Sequence, residues 1–103
     1  MWLLSVLKSK RKDKRYTATF CKCKVKNECK GSNHKTTSFG DPNATTYIDG
    51  ATDQTKNAYI ARHKVRENWD DPITAGSLAY HLLWGPTTSF RKNIDAFKKR
   101  FKL

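Results

Sequence analysis

The sequence has few acidic residues, no internal repeat and no apolar run long enough to cross a bilayer. Nine Asp and Glu stand against 21 Lys and Arg among 103 residues, so the formal net charge is +12. A charge of this size predicts an anionic partner, such as nucleic acid, an acidic protein surface or lipid headgroups. Six of the first seven residues are apolar, which is too few to span a membrane.

The sequence also lacks the motifs that mark common enzymes. It has no G-x-S-x-G, H-E-x-x-H or P-loop pattern. His63 and His81 lie among aromatic residues and leucines, so we interpret them as packing residues. Asp70 and Asp71 precede Pro72, which favours the end of a helix over a metal site. We therefore predict that the protein is not an enzyme.

Aromatic residues make up 12% of the chain, which indicates a folded domain since disordered chains have few aromatics. We expect residues 1–15 to form an apolar N-terminus and a basic arm, and residues 16–103 to form a single small α+β domain. Alternating residues from Tyr16 and the segment "KTTSFG" predict a basic β-hairpin over residues 16–39. The segment "TTYI" is a candidate third strand.

About three helices are expected to pack against this hairpin. The segment "QTKNAYIARHKVRENW" predicts the first, with Asp53 as its N-cap. The segment "AGSLAYHLLW" predicts the second, capped by Thr74 or Ser77. The C-terminal helix is amphipathic and basic, with an apolar stripe and a cap at Thr87, Thr88 or Ser89. The stripe consists of Phe90, Ile94, Phe97 and Phe101.

All three cysteines lie close together in "FCKCKVKNECKGSNH". Cys21 and Cys23 fall on one face of the predicted strand with Thr19 and Val25, and we expect that face to be packed. We interpret the cysteines as buried or incidental thiols, without a metal or other cofactor. A zinc site of Cys21, Cys23, Cys29 and His34 is one alternative. A disulfide such as that between Cys23 and Cys29 is another.

Basic residues are concentrated near the two ends of the chain. The predicted strand places Lys22, Lys24 and Lys26 on the same face as Tyr16 and Phe20, an arrangement that suits single-stranded nucleic acid. The residues predicted to bind an anionic partner are Lys8, Lys10, Arg11, Lys12, Lys14, Arg15, Lys22, Lys24, Lys26, Lys98, Lys99 and Arg100. The residues predicted to dock on a partner protein are Trp2, Leu3, Leu4 and Leu7, and membrane contact through them is less favoured.

Several segments resemble a family of small basic proteins of unknown function from large double-stranded DNA viruses of algae and protists. They are "KRYTATF", "KTTSFG", "TYID", "YIARHKVRENWDDPITAGSLAYHLLWG" and "SFRKNIDAFKKRF", within residues 10–103. The stretch over residues 59–85 is the most specific of them. The three cysteines and the apolar start depart from the family pattern, and we expect the start to be peculiar to this chain.

The resemblance implies a role in a virus particle or in its assembly in the host cytoplasm. The first hypothesis is a non-enzymatic minor capsid or cement protein that binds other virion proteins. The alternative is a nucleic-acid-binding module that coats or packages viral DNA. The second hypothesis follows from the charge directly.

Overall fold

The computed structural model is α+β, with a three-stranded antiparallel sheet and three helices that include a C-terminal helix. It describes all 103 residues except the side chain of Lys26, whose predicted role in anion binding lies outside the described residues. The strands are β1 (Trp2–Lys8), β2 (Tyr16–Cys21) and β3 (His34–Phe39). The helices are α1 (Asp53–His63), α2 (Ala75–Leu78, continued as a π-helix over Ala79–Leu83) and α3 (Phe90–Phe101).

The N-terminus is a strand of the sheet, not an arm outside the folded domain. β1 pairs with β2 in antiparallel register from Trp2 opposite Cys21 to Lys8 opposite Tyr16. The register shifts between Leu3 and Ser5, so Leu3 and Val6 face the core although they are three residues apart. The boundary predicted at residue 15 is therefore wrong, since β1 belongs to the same sheet as β2 and β3.

The packed face of β2 is the one opposite to that predicted. Ala18 and Phe20 are fully buried against the helices, and Thr17 and Thr19 are only half-buried. Paired residues of neighbouring strands share a face, so Phe39 joins the core beside Tyr16. Phe20 is therefore unavailable for stacking on nucleic-acid bases, and the predicted basic and aromatic strand face does not exist.

The core joins the sheet to α2, the π-helix and α3. Its fully buried side chains include Phe20, Phe39, Leu78, Leu82 and Phe97. Leu78 and Leu82 come from the second predicted helix. This helix is apolar around much of its circumference because it lies at the centre of the fold. Thr74 caps α2 by accepting a hydrogen bond from the Ser77 N–H, as one of the two predicted caps.

Two local predictions differ from the structure. The segment expected as a third strand forms a 3-10 turn over Tyr47–Asp49, with the Asp49 carboxylate accepting from the Thr46 N–H. α1 is capped by Thr52, whose hydroxyl accepts from the Thr55 N–H, one residue before the predicted cap.

Neither α1 nor any other helix in the described part of the chain is long and apolar enough to span a membrane.

The C-terminal helix matches its prediction. Ser89 caps α3 by accepting from the Lys92 N–H, and the helix continues to Phe101. Phe97 is buried, while Phe90, Ile94 and Phe101 are partly buried against the core. A 3.6-residue period over a single apolar stripe is enough to fix both the helix and its buried face.

Candidate functional site

The β1–β2 turn, residues 9–15, contains five basic residues and one acidic residue. Its backbone is ordered by hydrogen bonds from Ser9 N–H to the Arg15 carbonyl (3.0 Å) and from Arg15 N–H to the carbonyls of Phe39 and Gly40 (3.1 and 3.0 Å). Lys8, Lys10 and Lys12 are exposed around it. The turn therefore presents positive charge on a backbone that hydrogen bonds fix in place.

Arg15, predicted to bind an anionic partner, is already engaged within the protein. Its guanidinium donates to both carboxylate oxygens of Asp49 at 2.6 Å, with the two side chains 20% and 29% exposed. This pairing holds the pKa of the Asp49 carboxyl well below its ordinary value and raises the pKa of Arg15. Arg15 thus anchors the β1–β2 turn to the 3-10 turn over Tyr47–Asp49. The prediction that Arg15 binds an anionic partner is corrected, because its guanidinium is occupied by Asp49.

Among the side chains that the structure describes, three basic residues form salt bridges. Besides Arg15, Arg11 pairs with Asp13 at 2.8 Å and Arg100 pairs with Asp70 at 3.2 Å, and these two pairs are largely exposed. Exposed pairs of this kind contribute little to stability and are screened by salt. Arg11 and Arg100 therefore stay accessible to a partner.

The other predicted basic residues lie in separate parts of the fold. Lys22 and Lys24 follow the end of β2, about 17–20 Å from the basic turn at its start. Lys98 and Lys99 lie on the last turns of α3, where Lys98 is half-buried and Lys99 is exposed. The structure therefore spreads the predicted anion-binding residues over three regions and does not gather them into one pocket.

The predicted docking residues are only partly accessible. Leu3 is 3% exposed and belongs to the protein's own core, so its predicted role in partner docking is wrong. Trp2 and Leu4 are half-buried, and Leu7 is 65% exposed. Leu7 is the docking candidate that the fold leaves open, on a strand at the edge of the sheet.

The three cysteines meet at the end of β2. The Sγ atoms of Cys21, Cys23 and Cys29 all lie within 4.8 Å of one another. Cys21 and Cys29 form a disulfide with Cα atoms 5.9 Å apart, and Cys23 keeps a free thiol. The interpretation of all three as buried or incidental thiols is therefore wrong, and the bonded pair differs from the example of Cys23 with Cys29. Alternation along β2 does not explain the burial of Cys21, because the segment of residues 22–33 returns to Cys21 through its bond to Cys29.

An aromatic groove between α1 and α3 was not predicted from the sequence. It has a volume of about 870 Å³, and its lining includes Trp69, Tyr80 and His81. The rings of Trp69 and Tyr80 stack with centroids 3.8 Å apart. The His81 Nε2 donates to the Trp69 carbonyl oxygen at 2.8 Å, and burial lowers the pKa of His81. Tyr80 and His81 belong to the π-helix, an irregularity that hydrophobic periodicity does not reveal.

These features define a small α+β protein with a basic turn, a cysteine cluster and an aromatic groove. Its residues 4–63, from within β1 to the end of α1, match the model of a family of unknown function, DUF5754, and the chain belongs to that family. An uncharacterized protein of Acanthamoeba polyphaga mimivirus, L851, is 34% identical over 87 residues, covering 79% of this chain and 80% of that protein. No solved structure matches the chain.

The comparisons refine the resemblance seen in the sequence. The mimivirus relative confirms a viral family of unknown function. The family match begins at Leu4, so residues 4–7 of the apolar start are not peculiar to this chain. The match ends at His63, so most of the stretch over residues 59–85 lies beyond it.

Proposed function

We propose that this protein is a non-enzymatic component of a large DNA virus particle that contacts nucleic acid through the β1–β2 turn. The main support for this proposal is the exposed positive charge of that turn, where Lys8, Lys10 and Lys12 surround a backbone fixed by hydrogen bonds. The mimivirus relative supports the viral setting. The net charge of +12 supports an anionic partner.

The Arg15–Asp49 pair contributes by holding the turn in place. A fixed turn loses less conformational entropy on binding than a free basic arm would. The lysine side chains keep their own freedom, which suits contact with phosphates rather than recognition of particular bases. We therefore expect binding with little sequence preference.

The spread of charge over the fold suits an extended polyanion better than a small anion. Duplex DNA carries one negative charge per about 1.7 Å of its axis. The sheet is long enough for Lys12 at one end and Lys24 at the other to meet phosphates on the same molecule. Contact with six to ten phosphates would lower the affinity about 10³–10⁵-fold between 50 and 200 mM salt.

The test measures binding of fluorescent duplex and single-stranded DNA by the full-length protein as salt is varied. The turn variant carries Lys8→Gln, Lys10→Gln and Lys12→Gln. The matched control carries Lys35→Gln, Lys64→Gln and Lys92→Gln, which removes the same charge at exposed positions outside the residues predicted to bind an anionic partner. The turn variant is expected to bind more weakly than the control and to reduce the salt slope by about 2–3.

Two outcomes would count against the proposal. Equal losses in the two variants would mean that net charge alone drives binding and that the turn has no special role. Polyglutamate that competes as well as DNA of equal charge would indicate an acidic protein surface as the partner.

A second candidate function is assembly with other particle proteins through β1. The strand lies at the sheet edge, with Leu7 65% exposed. Unpaired backbone groups and an exposed leucine are features of strands that pair with another chain. Cross-linking of purified particles from a Leu7→Cys variant would identify a neighbour, and absence of the protein from the particles would exclude both candidates.

A further inference from the structure

The cysteine cluster is built by the hairpin and by the segment that joins β2 to β3. β2 ends at Cys21, and the connecting segment, residues 22–33, is closed at its base by a hydrogen bond from Lys22 N–H to the Asn33 carbonyl (3.1 Å). Two 3-10 turns, Lys26–Glu28 and Gly31–Asn33, shape it. Residues 23 and 29 thereby return to residue 21.

Two hydrogen bonds within the cluster involve sulfur atoms. The Cys23 N–H points at the Cys21 Sγ at 3.4 Å, and the Cys23 thiol donates to the Glu28 carbonyl oxygen at 3.6 Å, a hydrogen bond that is given up when Cys23 binds a metal. An N–H directed at sulfur favours the thiolate over the thiol, because it is a hydrogen bond to the charged form. Lys22 and Lys24 follow Cys21 and Cys23 directly in the sequence, and both lysines are exposed.

His34 stands beside this cluster. It begins β3 and lies directly opposite Cys21 in the sheet register. Directly opposed residues have Cβ atoms about 4.5–5.5 Å apart, so His34 lies next to Cys21 on the same face of the sheet. Its ring nitrogens lie outside the group of sulfur atoms that are within 4.8 Å of one another, so the ring must rotate to reach a metal there. The side chain is exposed, which leaves its ring able to turn toward the cluster.

We propose that the reduced protein binds one Zn²⁺ through the thiolates of Cys21, Cys23 and Cys29, with His34 as the fourth ligand. Tetrahedral zinc with Zn–S distances of about 2.3 Å holds its sulfurs about 3.8 Å apart. The three Sγ atoms lie within 4.8 Å of one another while Cys21 and Cys29 are bonded. After reduction, the two bonded sulfurs must separate by about 1.8 Å to reach the spacing of zinc ligands. Thiolate and imidazole ligands select zinc over magnesium or calcium, which prefer oxygen.

The binding step conserves charge and protons. Three thiols lose three protons, and Zn²⁺ with three thiolates and a neutral imidazole has a net charge of −1. The affinity therefore rises with pH. The disulfide between Cys21 and Cys29 occupies two of the ligands, so the metal site exists only after that bond is reduced.

The metal site and the basic turn lie at opposite ends of β2, so zinc binding does not depend on the proposed contact with nucleic acid. The experiment uses the full-length protein, reduced with a phosphine under anaerobic conditions and titrated with Co²⁺ and then with Zn²⁺. We expect thiolate-to-cobalt charge-transfer absorption, the d–d bands of a tetrahedral site, and one zinc per chain by native mass spectrometry. The oxidised protein, with its disulfide intact, is expected to bind no zinc.

Variants assign the ligands. Cys23→Ser retains the Cys21–Cys29 pair, so it can be purified folded in the oxidised state, and after reduction it should lose one thiolate from the cobalt spectrum. His34→Ala should keep three thiolates, shift the d–d bands and weaken zinc binding about tenfold or more. His63→Ala is the matched control, because its ring stacks on Tyr59 in α1, and it should behave as the wild type.

Three results would overturn the proposal. Reduced wild-type protein that remains free of metal at one equivalent of zinc would show that the cysteines serve only as a disulfide and a free thiol. Equal zinc binding by the oxidised protein would place the metal elsewhere. A Cys23→Ser spectrum identical to that of the wild type would remove Cys23 from the ligand set.

Discussion

Arg15 and Asp49 join the basic turn to the 3-10 turn by two hydrogen bonds of 2.6 Å, although they are 34 residues apart in the sequence. Asp49 also accepts from the Thr46 N–H and hydroxyl at 2.9 and 2.8 Å. One carboxylate thus closes the 3-10 turn and fixes the start of β2. Because both side chains are mostly shielded from solvent, the pair is worth more than an exposed salt bridge.

Replacement of Asp49 by Asn is expected to lower the free energy of unfolding at pH 7 by about 1–2 kcal/mol. The pKa of Asp49 is depressed in the folded state, so its stabilising effect is complete above the ordinary carboxyl value of 3.8 and is lost as the pH falls below it. Urea unfolding of the wild type and Asp49→Asn at pH 7 and pH 3 measures both effects. The difference between the two proteins should shrink at the lower pH.

Asp13→Asn is the control for this prediction. The Arg11–Asp13 pair is 60% and 64% exposed, so its loss should leave stability unchanged within error. A loss from Asp13→Asn as large as that from Asp49→Asn would show that general charge balance matters and the specific pair does not.

Leu3 and Leu7 lie in the same strand but should respond differently to truncation. Leu3→Ala removes a core side chain and should cost about 2–5 kcal/mol in urea unfolding. Leu7→Ala should change stability by less than about 0.5 kcal/mol, since the side chain is 65% exposed. Equal, small effects from both would mean that the N-terminal segment is the separate arm expected from the sequence.

The contrast between β1 and α3 shows how much of the fold the sequence reveals. The stripe of α3 repeats with the helical period from Phe90 to Phe101, so the helix and its buried face were predictable, and Ser89 is one of the three caps that the sequence allowed. In β1 the register shift between Leu3 and Ser5 places core residues three apart, which breaks the period of two that identifies a strand. The segment therefore looked like an apolar start with no strand pattern.

The residues of the proposed zinc site could be predicted from the sequence, but their arrangement in space could not. The sequence identified the four residues of the proposed zinc site, and it also placed Cys21 and Cys23 on one extended strand. β2 ends at Cys21, so the cluster forms only when residues 22–33 fold back to the end of that strand. A tertiary contact of this kind leaves no periodic pattern in the sequence. The Arg15–Asp49 pair is hidden for the same reason, because two distant turns must meet before it forms.

Asn93 is a buried polar residue whose loss should destabilise the protein strongly. It has no exposed surface, donates from Nδ2 to the carbonyls of Leu82 and Thr87, and accepts from the Thr87 N–H and hydroxyl. Asn93→Leu leaves these groups buried without partners and should cost about 2–4 kcal/mol in urea unfolding. Asn57→Leu, at an exposed position of α1, is the control and should have little effect. Similar losses from both would contradict the bridging role of Asn93.

His81 should make stability sensitive to mild acid. Burial lowers the pKa of His81 in the folded state, and this is the largest effect. The hydrogen bond to the Trp69 carbonyl acts in the opposite direction. The charge of Arg100 also lowers the pKa, and the charge of Asp70 raises it. The unfolded chain therefore takes up a proton first, near the ordinary value of 6.5, and stability falls as the pH decreases from there toward the folded pKa. His81→Gln keeps a donor for Trp69 but does not titrate, so its unfolding free energy should change less between pH 7.5 and 5.5 than that of the wild type. Parallel pH profiles for the two proteins would show that His81 is not held neutral by the groove.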